Sequence, residues 1–186
     1  MAVERVHYKF TADEYHRMVD SGILTEDSRV ELIEGEIVEM SPIGGRHARC
    51  VNWLTKALVN AAGDDAIVSV QNPVRLSDLS EPQPDLMLLR PRDYGDQSPG
   101  PEDLLLLIEV SDTTLAYDRT TKLHLYARAG VREVWIVDLI HAVVFRYLRP
   151  TSAGYRESQQ ADRGSTIAST VSPVLRIEIP ISELFA

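Results

Sequence analysis

Two charged side chains, Glu109 and Lys122, stand where the sequence is otherwise apolar. Glu109 interrupts residues 104–110 (LLLLIEV), a run so apolar that it predicts a strand covered on both faces, as in the centre of a mixed or parallel sheet. Lys122 belongs to a predicted helix at residues 118–129, which should end at Gly130 because glycine suits the left-handed cap position. Charges in such positions usually serve a chemical purpose.

The helical spacing predicts that Lys122 faces the sheet. At about 100° per residue, Tyr126 lies about 40° and Leu125 about 60° from Lys122, whereas His124 and Arg128 fall on the opposite side. An unpaired ammonium on the apolar side would be costly, because the charge loses its hydration. We therefore expect a carboxylate partner for Lys122.

A third candidate is Asp85, which follows Pro84 at the head of a predicted strand, residues 85–89. If this strand neighbours residues 104–110, the carboxylates of Asp85 and Glu109 converge. Carboxylates are hard oxygen ligands, and Mg²⁺ takes one or two of them together with water and substrate oxygens. Lys122 could then orient or activate an attacking water, or stabilise developing negative charge. The arrangement suits metal-assisted hydrolysis of a phosphodiester.

The composition narrows the class of protein. A chain of 186 residues with 44% hydrophobic residues suits one domain, residues 1–186. The single cysteine, Cys50, excludes an intrachain disulfide framework and favours the cytoplasm. The sequence has no signal-peptide core and no run of about 18 apolar residues, so we expect no membrane segment. A net charge of -9 argues against nucleic-acid binding through a broad basic surface, but a metal-dependent enzyme remains possible because bound cations supply charge.

The remaining pattern predicts a mixed α/β (α+β) fold, in which helices flank a central mixed sheet. Thr11 and Glu14 form a capping box before a predicted helix at residues 12–20. Residues 29–40 alternate as an N-terminal hairpin that turns at Glu34-Gly35. The other predicted elements are a helix at 46–62, strands at 67–76, 85–89, 104–110, 134–138 and 143–148, a loop at 90–103, a loop or edge hairpin at 150–166, and a strand with a terminal turn at 174–185.

These residues resemble a known family. Pro84-Asp85, Glu109-Val110-Ser111 and Lys122 are similar to the PD-(D/E)XK nuclease motif in a form with a migrated lysine. Longer strings resemble the Uma2 family (DUF820) of restriction-endonuclease-like proteins, over about residues 10–150. The strings are VELIEGEIVEMSP at 30–42 with His47 after it, QPDLMLLRP at 83–91, IEVSDTT at 108–114 and YARAGVREVWIVD at 126–138.

The resemblance implies a restriction-endonuclease-like core with a Mg²⁺ or Mn²⁺ site at Asp85 and Glu109 and a catalytic lysine at Lys122. Ser111 occupies the position at which the motif normally has its lysine, so Lys122 would supply the amine from the helix. Related nucleases often have an additional N-terminal glutamate that assists the metal. Glu31 is the candidate for this residue, ahead of Glu34 at the predicted turn.

Simpler interpretations of the same residues stay open. Asp85 could cap local backbone groups, and Glu109 with Lys122 could form a buried structural ion pair. Glu31 could be solvated, and His47 could either contact phosphate or metal or form a local hydrogen bond.

Other polar and aromatic residues are interpreted structurally. Asp112 and Asp118 are read as loop and helix-cap acids, Ser111 as a turn-stabilising hydroxyl, and Tyr126 as a core or interface aromatic.

The leading hypothesis is a cytoplasmic, metal-dependent endonuclease that hydrolyses nucleic-acid phosphodiester bonds, in the first place those of DNA. In this hypothesis Asp85 and Glu109 bind the ion, Lys122 positions or polarises the water, and Glu31 completes the acidic cluster. Two alternatives are a catalytically inactive interaction module with the nuclease fold and a metal-dependent hydrolase of a small phosphorylated substrate. Because a double-strand cut needs two sites, a homodimer is compatible with the leading hypothesis.

Overall fold

Ten strands and several helices make up the part of the chain that the computed structural model describes, residues 6–169, 175 and 177–186. The strands are β1 (Val30–Ile33), β2 (Glu36–Glu39), β3 (Ile67–Val70), β4 (Leu86–Leu89), β5 (Leu104–Ser111), β6 (Glu133–Asp138), β7 (Val143–Thr151), β8 (Gly154–Ala161), β9 (Thr166–Ala168) and β10 (Glu178–Pro180). The α-helices are α1 (Ala12–Asp20), α2 (Gly45–Ala62), α3 (Leu115–Tyr117), α4 (Leu123–Ala129) and α5 (Ile181–Leu184). A π-helical stretch, Asp118–Lys122, joins α3 to α4, and 3-10 turns lie at Glu26–Ser28 and Pro101–Asp103.

The central sheet has six strands in the order β3-β4-β5-β6-β7-β8. β5 and β6 pair in parallel, and every other neighbouring pair in this sheet is antiparallel. The parallel pair requires a crossover, which α3, the π-helical stretch and α4 provide. The predicted mixed sheet flanked by helices is therefore confirmed, as is the hairpin of β1 and β2.

Alternating residues of β5 face two separate hydrophobic clusters. Ile108 packs in the cluster that contains Leu54 of α2, whereas Leu107 packs in the cluster that contains Leu125 of α4. Both faces of β5 are thus covered, as its apolar sequence predicts. By the two-residue period of a strand, Glu109 shares the face of Leu107 and points towards the crossover helix.

Several predicted boundaries differ from the structure. The strand predicted at 67–76 ends at Val70, because Gln71 has a φ of 51° in the left-handed region and Pro73 lacks an amide donor. The helix predicted to begin at Asp118 begins at Leu115 and contains the π-helical stretch. It does end at Gly130, whose φ of 83° gives the predicted left-handed cap. Residues 150–166 contain the edge hairpin that was one of the two predicted alternatives.

The two ends of the chain carry smaller features. Thr11 and Glu14 form the predicted capping box of α1. Of the strand and turn predicted at 174–185, residues 174 and 176 lie outside the described residues, and the described part contains β10 and α5. No helix in the described ranges has the length and apolar composition needed to cross a bilayer.

Candidate active site

A cavity of about 800 Å³ opens where β5 ends and β4 begins. We call it the β5 cavity. It is bounded by β1, by the loop that leads into α2, by the residues around the start of β4, and by the π-helical stretch. Its charged and polar lining residues include Arg29, Glu31, Glu39, His47, Gln71, Gln83, Asp85, Glu109, Asp112, Thr114, Tyr117, Asp118 and Lys122.

Lys122 stands between two buried carboxylates in this cavity. Its Nζ lies 3.1 Å from Oε1 of Glu109 and 3.1 Å from Oε2 of Glu31. Lys122 is 6% exposed, and each glutamate is 3% exposed. The expected carboxylate partner of Lys122 is therefore present, and Glu31 joins it from the N-terminal hairpin.

The two carboxylates decide the charge of Lys122. Burial alone would lower its pKa, but Glu109 and Glu31 outweigh this effect and raise the pKa above its ordinary value. Lys122 is therefore an ammonium at neutral pH. It can donate hydrogen bonds and stabilise negative charge, but it has no lone pair with which to accept a proton.

Glu109 receives a second donor that the sequence did not indicate. The hydroxyl of Tyr126, on α4, donates to the same Oε1 that Lys122 contacts. Burial raises the pKa of Glu109, and the nearby charges of Asp118 and Asp85 act in the same direction, although Lys122 opposes them. Oε2 of Glu109 has no hydrogen-bond partner among the described residues. The tyrosine ring is fully buried, as its interpretation as a core aromatic predicts.

Asp85 lies beside Glu109 because β4 and β5 are neighbours, with Leu86 opposite Ile108. One of its oxygens accepts a hydrogen bond of 2.8 Å from the amide of Val110, and the other accepts one of 3.3 Å from Gln71. Nε2 of His47, at the start of α2, lies 3.0 Å from the carboxylate. Asp85 thus serves as a fixed acceptor at the floor of the cavity, and it does not cap the start of β4.

His47 forms a specific contact with Asp85. The hydrogen bond to Asp85 raises the pKa of His47, against the opposing effect of burial. Its other ring nitrogen, Nδ1, is buried without a hydrogen-bond partner in the described part of the chain. Glu34, the second choice for the N-terminal glutamate, instead pairs with Arg128 on the surface and is not among the residues that line the β5 cavity.

The π-helical stretch and the end of α3 contribute two residues that sequence reasoning missed. Asp118 is 4% exposed, and its Oδ2 accepts hydrogen bonds from Ser111 Oγ at 2.8 Å and Thr114 Oγ1 at 2.5 Å. Asp118 is therefore a buried residue of the cavity. The interpretation of Asp118 as a helix-cap acid was wrong, because the helix begins at Leu115. Tyr117 has a hydroxyl that is buried without a partner among the described residues. Asp118 lies four residues before Lys122, and this spacing was the signal that could have identified it.

The donor chemistry of the cavity fits a hard divalent cation. No three His, Cys, Asp or Glu side chains are grouped as a complete metal cage within the described residues. Mg²⁺ does not require one, because it usually binds one or two carboxylates and completes its shell with water and substrate oxygens. Glu109 Oε2 and the carboxylate of Asp85 are oxygen donors of this kind, and both residues line the cavity.

Comparison with solved structures shows the class of fold. A crystal structure from Anabaena variabilis, described as "a putative nuclease belonging to DUF820", superposes with a TM-score of 0.72. The two sequences are 17% identical, and the match covers 95% of this chain and 97% of that chain. The comparison with curated proteins gave no match. The chain therefore has the mixed α/β fold of a DUF820 protein.

The family follows from the sequence match. The model of the Uma2 family, described as "Putative restriction endonuclease", matches residues 12–181. This range covers most of the chain, and the chain belongs to the Uma2 family. The resemblance read from the sequence over about residues 10–150 is confirmed, and the match extends beyond it.

Proposed function

We propose that this protein is a metal-dependent nuclease that hydrolyses phosphodiester bonds of nucleic acid, with DNA as the first substrate to test. The observation that carries the proposal is the contact of Lys122 with both Glu109 and Glu31, beside Asp85 in one cavity. The descriptions of the family and of the structural neighbour support the same class of activity. The single cysteine, which is buried and free, is in keeping with a cytoplasmic protein.

Asp85 and Glu109 are the residues proposed to hold a Mg²⁺ or Mn²⁺ ion. Such an ion would polarise a phosphoryl oxygen and lower the pKa of a bound water. His47, Gln71 and the amide of Val110 hold the Asp85 carboxylate in one orientation. Tyr126 does the same for Glu109. A fixed orientation matters because catalytic groups lose much of their effect when they are misplaced by about 1 Å.

Lys122 is proposed to stabilise the negative charge that develops on the phosphoryl group. Because its two carboxylate contacts keep it charged, it serves as a fixed cation in a cavity that is partly shielded from water. Glu31 is proposed to hold Lys122 together with Glu109, and the backbone amide of Gln83 donates a hydrogen bond of 3.1 Å to Glu31. With a bound cation and the Lys122 ammonium in the cavity, a protein with a net charge of -9 can still bind a phosphate group.

The proposal is tested by incubating the purified protein with supercoiled duplex DNA, single-stranded DNA and RNA in millimolar Mn²⁺. We expect cleavage that a chelator stops, and the variants Asp85→Asn and Glu109→Gln should reduce it to background. The matched control is Asp78→Asn, an exposed aspartate that pairs with Arg75 away from the cavity. Equal cleavage by Asp85→Asn and the unaltered protein would overturn the proposal. A folded protein that neither cleaves these substrates nor binds Mn²⁺ would favour the inactive interaction module.

A further inference from the structure

The carboxylate of Asp118 is the group in the β5 cavity that is best arranged to accept a proton. We propose that Asp118 takes the proton from the attacking water in the hydrolysis described above, so this inference rests on the proposed function. Lys122 cannot take this role, since it is held as an ammonium by Glu109 and Glu31. Asp118 reaches the same cavity from the π-helical stretch.

The hydrogen bonds of Asp118 leave one oxygen available. Both hydroxyl donors, Ser111 Oγ and Thr114 Oγ1, bind Oδ2 and thereby fix the plane of the carboxylate. Oδ1 has no hydrogen-bond partner among the described residues. Protein atoms do not enclose it completely, so it is accessible from the cavity. Because the side chain is 4% exposed, Oδ1 is an acceptor that a water entering the cavity can satisfy.

Three other carboxylates of the cavity, those of Glu31, Glu109 and Asp85, are less suited to the role. Glu31 and Glu109 contact the ammonium of Lys122, and Glu109 and Asp85 are the proposed ligands of the ion. A bound or neighbouring cation withdraws basicity from a carboxylate. Asp118 accepts hydrogen bonds from neutral hydroxyl groups and has no ion pair in the described part of the chain. Its carboxylate is therefore not engaged by a cation and is free to accept a proton.

Ser111 contributes directly to this difference. It occupies the position at which the nuclease motif has lysine, and its hydroxyl donates to Asp118. A lysine there would place a second ammonium in the same part of the site. The serine provides a neutral donor, which orients Asp118 without an ion pair.

The proposed step conserves atoms and charge. A water O–H bond breaks, and the proton passes to Oδ1 of Asp118. The water oxygen forms a bond to phosphorus while the bond from phosphorus to the leaving oxygen breaks. The leaving oxygen takes a proton from solvent, and Asp118 returns its proton to solvent afterwards.

The charges around Asp118 set the direction of a pH test. Burial raises the pKa of Asp118, Asp85 raises it further, and the hydrogen bonds from Thr114 and Ser111 together with Lys122 lower it. The other titratable groups of the cavity are Glu31 and Glu39 from the hairpin, Arg29, His47 of α2, Glu109 of β5, Asp112 and Tyr117. Ser111→Ala removes one donor to the charged carboxylate, so the acidic limb of the pH profile should move to higher pH.

The test compares Asp118→Asn with Asp78→Asn, an exposed aspartate that pairs with Arg75 and does not line the cavity. Single-turnover cleavage of labelled DNA, Mn²⁺ binding by calorimetric titration and thermal unfolding are measured for each. We expect Asp118→Asn to slow cleavage by about 10²- to 10⁴-fold, with Mn²⁺ affinity unchanged. Asp78→Asn should cleave within about threefold of the unaltered protein, because its carboxylate lies on the surface away from the cavity.

Each other outcome overturns the assignment. Cleavage by Asp118→Asn at the unaltered rate means that another group takes the proton. Loss of Mn²⁺ binding in this variant means that Asp118 is a metal ligand. If Asp118→Asn does not fold, an unshifted pH profile of Ser111→Ala overturns the role. If the unaltered protein binds Mn²⁺ and cleaves no nucleic acid, the proposed function itself fails, and that result is separate from a defect of Asp118→Asn alone.

Discussion

Nζ of Lys122 lies 3.1 Å from Oε1 of Glu109, although one residue belongs to the crossover helix and the other to the central strand β5. The contact joins strand β5 to the helical crossover that connects it to its parallel neighbour β6. Because Glu31 contacts the same ammonium, the N-terminal hairpin is attached to the core at this point. The site and the packing of three elements therefore depend on one lysine.

Replacing Lys122 should affect both stability and cleavage. Lys122→Met leaves Glu109 and Glu31 buried without their cation, and we expect a loss of about 3 kcal/mol in the free energy of unfolding. Cleavage should fall by about 10²-fold or more, because a fixed positive charge is lost. Urea unfolding and the nuclease assay measure the two effects. Lys56→Met, on the exposed face of α2, is the control and should change neither quantity.

A second substitution distinguishes the ion pair from simple packing. If the cost of Lys122→Met comes from the unpaired carboxylates, adding Glu109→Gln should recover part of the lost stability. Strict additivity of the two single changes would show that the pair contributes no coupling energy.

The hydroxyl of Tyr126 should contribute to stability separately from the aromatic ring. Tyr126→Phe removes the donor to Glu109 and leaves a buried acceptor with one fewer partner. We expect the free energy of unfolding to fall by about 1 kcal/mol, with the fold preserved in the circular dichroism spectrum. Tyr8→Phe is the control, since that hydroxyl bonds to Glu14 on the exposed N-terminal surface. A loss no larger than that of the control would show that the bond to Glu109 contributes nothing.

Much of this site could be predicted from the sequence. The apolar run around Glu109 and the helical position of Lys122 predicted a buried charge pair. The count of 100° per residue from Lys122 was valid because α4 is a regular α-helix from Leu123 onwards. Whether Asp85 lies beside Glu109 depended on the pairing of β4 with β5, which local pattern does not determine. Asp118 was missed for another reason. The helix was predicted to begin at Asp118, whereas it begins at Leu115. A residue of the cavity was therefore interpreted as a helix-cap acid.

The thiol of Cys50 should be unreactive in the folded protein. Burial raises its pKa to about 12, and the side chain, on α2, is 3% exposed within the core. The thiol therefore stays protonated at about pH 8, and iodoacetamide should not modify it in native buffer. Modification should follow rapidly in concentrated denaturant. Mass spectrometry after timed quenching measures both rates, and fast labelling of the native protein would contradict the buried position.

The ion pair of Arg92 and Asp103 should contribute to stability at neutral pH. The hydrogen bonds from Arg92 hold the pKa of Asp103 below its ordinary value, although burial opposes them. A lowered pKa in the folded state gives stability that is present above the unfolded pKa of about 3.9 and is lost as the pH falls through the folded value. Arg92→Met should therefore move acid unfolding to higher pH. Circular dichroism between neutral and acidic pH measures the midpoint, and an unchanged midpoint would show that the pair is not linked to folding.

The most direct test of the proposed metal site is a crystal of the protein soaked in Mn²⁺, with anomalous scattering used to locate the ion. We predict one Mn²⁺ in the β5 cavity, bound by carboxylate oxygens of Asp85 and Glu109, with the Lys122 ammonium nearby. A crystal of Asp85→Asn treated in the same way should show no ion there. An anomalous map of the unaltered protein with no Mn²⁺ peak in this cavity would contradict the metal-dependent mechanism.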